Sequence, residues 1–248
     1  MKILLILLSC LFIFPCLSLA APPLLISDTG TPGDGHYELN VGLSGEKALS
    51  GSKIAFPALD LNYGWGERIQ IKYELPWIFT NKEGEEAKNG IGNSVLGVKW
   101  RFLDEERHGI AMSVYPQVEF NTAKSSVDKG LVDYGTNWIF PMELEKKFGP
   151  INLIGELGFI YRPENKNQWL YGLAFGYPAS KQFEWCGEIY GVAGSSFEWD
   201  THDLVFNVGF RWNLVKWLNW NTSVGRSLHA VNGDEKTFLF YSGVQFVF

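Results

Sequence analysis

Apolar and polar residues alternate with period two along most of the chain, over stretches of about ten residues. In RIQIKYELPW, Ile69, Ile71, Tyr73, Leu75 and Trp77 fall on one side of an extended chain, while Arg68, Gln70, Lys72 and Glu74 fall on the other. The same pattern predicts twelve strands, at about 36–45, 55–64, 68–77, 93–102, 110–121, 134–145, 151–162, 169–178, 182–192, 203–213, 217–227 and 237–248. Short connections at 65–67, 103–109, 146–150, 179–181 and 214–216 alternate with longer polar ones at 46–54, 78–92, 122–133, 163–168, 193–202 and 228–236. Short turns at one end and long loops at the other are the asymmetry of an outer-membrane barrel. The expected fold is all-β: a transmembrane antiparallel up-and-down β-barrel of about 12 strands, with both termini on the short-turn, periplasmic side.

The large aromatics support this, because strands running in opposite directions carry them at opposite ends. Trp77, Phe120 and Tyr161 come late and Phe183, Trp185 and Trp220 early in up-going strands; Trp138, Trp169 and Phe238 come first and Trp100, Tyr177, Trp212 and Phe248 last in down-going ones. Two girdles at fixed depths follow, as expected where rings sit at the two headgroup levels. The parity assigned to lipid carries almost no charge from the third segment onward, apart from Arg226, which is tolerable only near an interface. The opposite parity holds the candidate lumen-lining set: Arg68, Lys72, Glu74, Lys99, Arg101, Glu119, Glu143, Glu145, Glu156, Glu184, Glu188 and Arg211. A soluble β-sandwich would alternate too, but its strands are typically about five or six residues long and need not sort Trp by direction.

The chain ends on FLFYSGVQFVF, which in an open sheet would be an aggregation hazard; a closed barrel pairs it with the first strand, HYELNVGLSG. A last strand with Phe240, Val244, Phe246 and Phe248 on alternate positions resembles the signal read by outer-membrane assembly machinery. Pro116 and Pro141 each remove a ladder donor inside neighbouring strands, so a bulge or a displaced boundary is expected there, and Pro57 is expected to start the second strand.

Composition fits the pattern: 27 glycines and 15% aromatic residues favour strands and turns over helices. MKILLILLSCLFIFPCLSLA has the basic start, apolar run and small-residue site of a secretory leader, with cleavage expected after Ala20 and the barrel domain over 21–248. Two of the three cysteines would leave with it, so Cys186 has no internal disulfide partner and the fold rests on hydrogen bonding and packing. The formal charge of −6 and the lack of a basic cluster give no footprint for nucleic acid.

Several motifs, TGTPGDGHYELNVGLSGE, LDLNYGWGERIQIKYELPW, GIGNSVLGVKWRF and the aromatic carboxy-terminal strand, together resemble the outer-membrane transporter-like family named for the MetA-pathway of phenol degradation. The resemblance implies an outer-membrane barrel that passes small, aromatic or hydrophobic compounds; it carries over no functional residues.

No catalytic constellation is legible. The four histidines, His36, His108, His202 and His229, lack a nucleophile motif, and His202 with Asp200 and Asp203 reads as a solvated loop before it reads as a cation site. GIGNSVLG lacks the third glycine of a dinucleotide fingerprint, and no cofactor is expected. For the inward charges two readings stand: mutual neutralisation, with Lys72, Lys99 and Arg101 near Glu74, Glu119 and Glu143, or a selectivity role. The expected function is a passive channel for a small solute, with outer-membrane lipid, lipopolysaccharide and the barrel-assembly machinery as partners. The acidic balance favours cationic or neutral solutes. The alternative is a non-transporting barrel, either a lipid-modifying enzyme or a structural or adhesive protein.

Overall fold

The structure is a computed structural model that describes residues 22–231 and 237–248; the expected leader lies outside the described residues. Fourteen strands form one antiparallel sheet: β1 (Tyr37–Lys47), β2 (Gly51–Trp65), β3 (Ile69–Lys82), β4 (Lys88–Ile91), β5 (Asn93–Leu103), β6 (Ala111–Val114), β7 (Gln117–Asn121), β8 (Thr136–Phe148), β9 (Ile151–Tyr161), β10 (Gln168–Pro178), β11 (Phe183–Gly194), β12 (His202–Val215), β13 (Leu218–His229) and β14 (Phe238–Val247). β4 and β5 together make one wall strand pairing with β3, and β6 and β7 make another between β5 and β8, so the wall has twelve staves. β1 pairs with β14 from Glu38↔Val247 to Lys47↔Phe238, which closes the barrel. The closing pair is extended by reciprocal backbone hydrogen bonds between Tyr37 and Phe248 at 2.7 and 3.0 Å. The first and last strands thus leave no terminal edge, as a barrel requires.

Most alternating segments become strands because each has two unlike environments to satisfy. Along β10, Leu173, Phe175 and Tyr177 are exposed on the outer face while Leu170 and Ala174 are buried inside. The outer face therefore presents a continuous apolar belt, bounded near the chain termini by Trp65, Trp100, Trp185, Trp212 and Trp217 and near the opposite end by Trp138, Tyr161 and Trp199. Arg226 does point outward, but its register partner Phe238 is the first residue of β14, so it sits at the loop end of the belt.

The connections differ from expectation in two places: the loop expected over 78–92 shrinks to 83–87, because β3 runs on to Lys82 and pairs with β4. The loop expected over 46–54 shrinks to 48–50, because β1 and β2 run on to Lys47 and Gly51 and pair there. The long connection at 122–135 carries helix α2 (Lys124–Asp128) and the turn-end connection after β5 carries α1 (Glu105–His108). Pro57 lies within β2 rather than at its start, at the register shift between Ala55 and Ala58. Pro116 separates β6 from β7. Tyr115 N–H donates to the Pro141 carbonyl at 3.0 Å, so Pro141 turns its missing donor towards that same interruption, while Pro116, whose carbonyl accepts the Val98 N–H at 3.0 Å, turns its own towards β5.

Candidate functional site

The interior is polar by parity: among the side chains enclosed almost completely are Lys99, Gln70, Gln245, Glu143, Asn40, Asn62 and Asn221. A buried polar group needs a partner, and here many of the partners lie on a segment that sequence reasoning did not place. Residues 22–36, between the expected cleavage site and β1, run inside the barrel. At the turn end they are fixed by Pro32-Gly33-Asp34-Gly35, where Gly33 and Gly35 take left-handed φ angles of 89° and 74°. Gly35 N–H donates to the Gly64 carbonyl at 3.0 Å, and Asp34 Oδ1 accepts the Gly66 N–H at 2.8 Å. Gly64 has to be glycine, since a Cβ there would collide with the Gly33 carbonyl.

From that turn the segment crosses the lumen against successive staves. Thr31 Oγ1 donates to the Glu67 carbonyl (3.0 Å). Glu145 on β8 accepts both the N–H and the hydroxyl of Thr29, at 3.0 and 2.6 Å. Glu156 on β9 accepts Ser27 N–H (3.1 Å), and Lys99 on β5 donates to Ser27 Oγ (2.7 Å) and to the Asp28 carbonyl. Glu188 on β11 accepts the N–H groups of Leu25 and Ile26, each at 2.8 Å, and Ser223 on β13 donates to the Pro23 carbonyl at 2.7 Å. Ile26 is an apolar anchor, buried against Ile154 and Ala174 with Leu24 and Tyr190 alongside; a Cβ on Gly172 would collide with it.

Beyond this segment, towards the loop end, lies a cavity of about 780 Å³ floored by Pro22–Leu25. That is within the range of small-molecule sites, roughly 300–1,000 Å³. Residues 130–133, following α2, reach over its lining, and Leu131 and Ser126 pack where a side chain on Gly90 would otherwise stand. Its charged lining is Glu46, Lys53, Asp60, Glu74, Glu119, Asp133 and Arg162, an excess of carboxylates. Glu74 is salt-bridged to Lys72, and Arg162 approaches Asp133 at 3.6 Å. Asp60 is held instead by the amides of Asn40 (3.1 Å) and Asn62 (3.0 Å), and Glu119 by those of Asn93 (2.8 Å) and Asn137 (3.0 Å). Amides supply donors without neutralising a carboxylate, and with Lys72 also acting on Asp60 the lining still carries more carboxylates than cations.

The sequence-selected charges thus fall into three groups. Arg68 and Arg101 gather at the turn-end rim around Asp104, with Arg101 also donating to the Glu67 carbonyl at 2.8 Å. Lys72, Glu74 and Glu119 belong to the cavity level. Lys99, Glu145, Glu156 and Glu188 hold the inner segment, while Glu143 accepts from Ser113 (2.7 Å) and Glu184 pairs with Arg211 (2.9 Å) across β11 and β12. Of the named cations, Lys72 reaches one of the named carboxylates, Glu74, through a salt bridge among the described residues, while Lys99 acts on Glu143 without a direct ion pair. The reason is register, which sets Glu143 opposite Glu156 rather than opposite a cation, and the segment, which supplies the missing partners for Lys99. Sequence reading missed Asp60, Asn40, Asn62, Asn93 and Asn137; their signal was an Asp or Asn repeated on the inward parity.

The remaining candidates do not converge. His202 is buried, but on the outer face: its Nδ1 lies 2.8 Å from the Tyr171 hydroxyl beneath Phe197. Asp203, on the opposite parity, accepts the Val231 N–H at 3.0 Å, so His202 and Asp203 do not make a cation site. His229 stacks on Trp199 at 4.5 Å. Cys186 is a free, buried thiol. Phe240, Val244, Phe246 and Phe248 follow the outer parity of β14, Phe246 stacked near Trp217 and Phe248 near Tyr37 at centroid distances of 6.3 and 5.7 Å.

No known family profile matches the chain, and no curated protein does. Solved structures do. An outer membrane channel from Pseudomonas putida F1 superposes with a TM-score of 0.69 at 14% identity, over 89% of this chain and 98% of that one. The NanC porin gives 0.60 at 10% identity over 84% and 98%, and the KdgM porin in complex with disordered oligogalacturonate gives 0.57 at 13% over 84% and 99%. At these identities the likeness is one of fold: this chain is built like barrels known as porins and channels.

Proposed function

We propose that the protein is an outer-membrane channel for a small neutral or cationic solute with an apolar body, the class that the sequence resemblance to the phenol-pathway transporter-like family also implies. The observation that carries the reading is the carboxylate-rich cavity at the loop end of a closed barrel with an apolar belt. Asp60 and Glu119 would concentrate cations ahead of anions, while Pro76, Ile78, Val95 and Ile139 in the same lining suit a ring or a short hydrocarbon. The oligogalacturonate named with the KdgM porin is a polyanion, which this lining would repel. On this reading export removes residues 1–20, the belt meets lipid and lipopolysaccharide, and Phe240, Val244, Phe246 and Phe248 present the assembly signal.

The test is reversal potential in planar bilayers under a salt gradient, on the intact protein and on a form lacking residues 22–31. Cation preference is expected, falling towards no preference in a D60N/E119Q double variant. Anion preference in the unsubstituted barrel would overturn the solute class, and silence in both forms would overturn the channel.

A further inference from the structure

We infer that residues 22–31 are a built-in plug: they close the lumen below the cavity, and a solute crosses only when they leave their seat. The inference rests on the channel reading and adds its gate. Four features of the segment point the same way. It lies across the lumen, touching β5, β8, β9, β11 and β13, so it stands between the cavity and the turn end. It is bound chiefly through its own backbone N–H and carbonyl groups to Glu188, Glu156, Lys99 and Ser223, a mode that fixes an extended chain without requiring it to be part of the sheet. Those polar bonds can be exchanged for water when the segment leaves, whereas a segment meant as permanent filling would be expected to present a broad apolar face; here the apolar seat holds Ile26 with Leu24 beside it. Its attachment at the turn end is a glycine-rich bend whose left-handed positions, Gly33 and Gly35, let the chain reverse direction at the β2–β3 rim.

The wall is shaped for this occupant. Gly172 and Ala174 supply the space that Ile26 fills, and Glu188 is oriented for two successive N–H groups by the Asn207 amide at 2.6 Å. Once the leader is removed after Ala20, the segment is tethered at one end only, so it can withdraw towards the turn end about the Gly33–Gly35 bend while the twelve-stave wall stays intact.

The test is a reversible lock. In a C186S background, the substitutions I26C and A174C place thiols where the two side chains now pack, and oxidation ties the segment to β10. Single-channel recording of refolded protein should show intermittent openings in the reduced form, loss of those openings on oxidation in proportion to the cross-linked fraction measured by mass, and their return on reduction. Deleting residues 22–31 should give long-lived openings of several-fold larger conductance; should that form fail to fold, the lock decides alone. Conductance that is indifferent to a formed cross-link, or equal with and without the segment, would overturn the plug and leave the channel standing. Silence of the reduced, oxidised and deleted forms alike would overturn both.

Discussion

Lys99 gives the sharpest energetic prediction. Its side chain is wholly enclosed, with Nζ bound to Ser27 Oγ at 2.7 Å and to the Asp28 carbonyl, and 4.7 Å from the centre of the Tyr115 ring. Glu143 and Glu156 stand opposite each other in register on the neighbouring staves β8 and β9. Replacing Lys99 by Met keeps the length of the side chain and removes the charge. Each hydrogen bond from a charged donor contributes about 1.5–3 kcal/mol, and a desolvated cation–π contact about 2 kcal/mol. These do not add, because the carboxylates left behind can take up protons or water. Removing one partner from a buried ionic cluster costs about 3–5 kcal/mol, and the Lys99→Met variant is expected in that range. Urea unfolding of the barrel refolded into vesicles, followed by the fluorescence of its ten tryptophans, measures it. The same variant should expose the peptide bonds around Ser27 to added protease. A loss of stability below about 1 kcal/mol, with the segment still protected, would refute the claim that Lys99 holds the inner segment in place.

Two further outcomes test the wall. Leu173 is 59% exposed at the middle of β10, so Leu173→Arg should cost about 2–4 kcal/mol in a bilayer, while Leu228→Arg, outward near the end of β13 beside Arg226, should cost about 1 or less; equal effects in the same unfolding assay would contradict the assignment of the belt to lipid. Removing Phe248 deletes both backbone bonds to Tyr37 and the ring stacked on it, so the truncated chain should assemble more slowly and show a smaller folded fraction by heat-dependent gel mobility; unchanged kinetics would count against Phe248 as part of the closing pair or the assembly signal.

The twelve staves were legible because a barrel wall faces lipid on one side and polar groups on the other, and that contrast repeats every second residue whatever the neighbours are. Ile71 and Tyr73 could be assigned outward and Lys72 and Glu74 inward without knowing what lay beside them. Arg226 near an interface and a disruption at Pro116 followed from local rules as well, since depth along a strand and a missing N–H are properties of single positions.

The inner segment was not legible. LLISDTGTPG has no alternation to betray it, and the groups that hold it, Glu188 and Glu156, lie more than a hundred residues away in the chain. Nor could sequence tell whether Lys99 would meet Glu143, Glu119 or a backbone carbonyl of residue 28. Periodicity specifies which side of the wall a residue takes; the stagger between staves and the path of a non-repeating segment through the interior arise only when the sheet closes, and those decide which inward charges neutralise one another, which bind the chain itself, and which, like Asp60 and Glu119, are held by amides at the cavity wall.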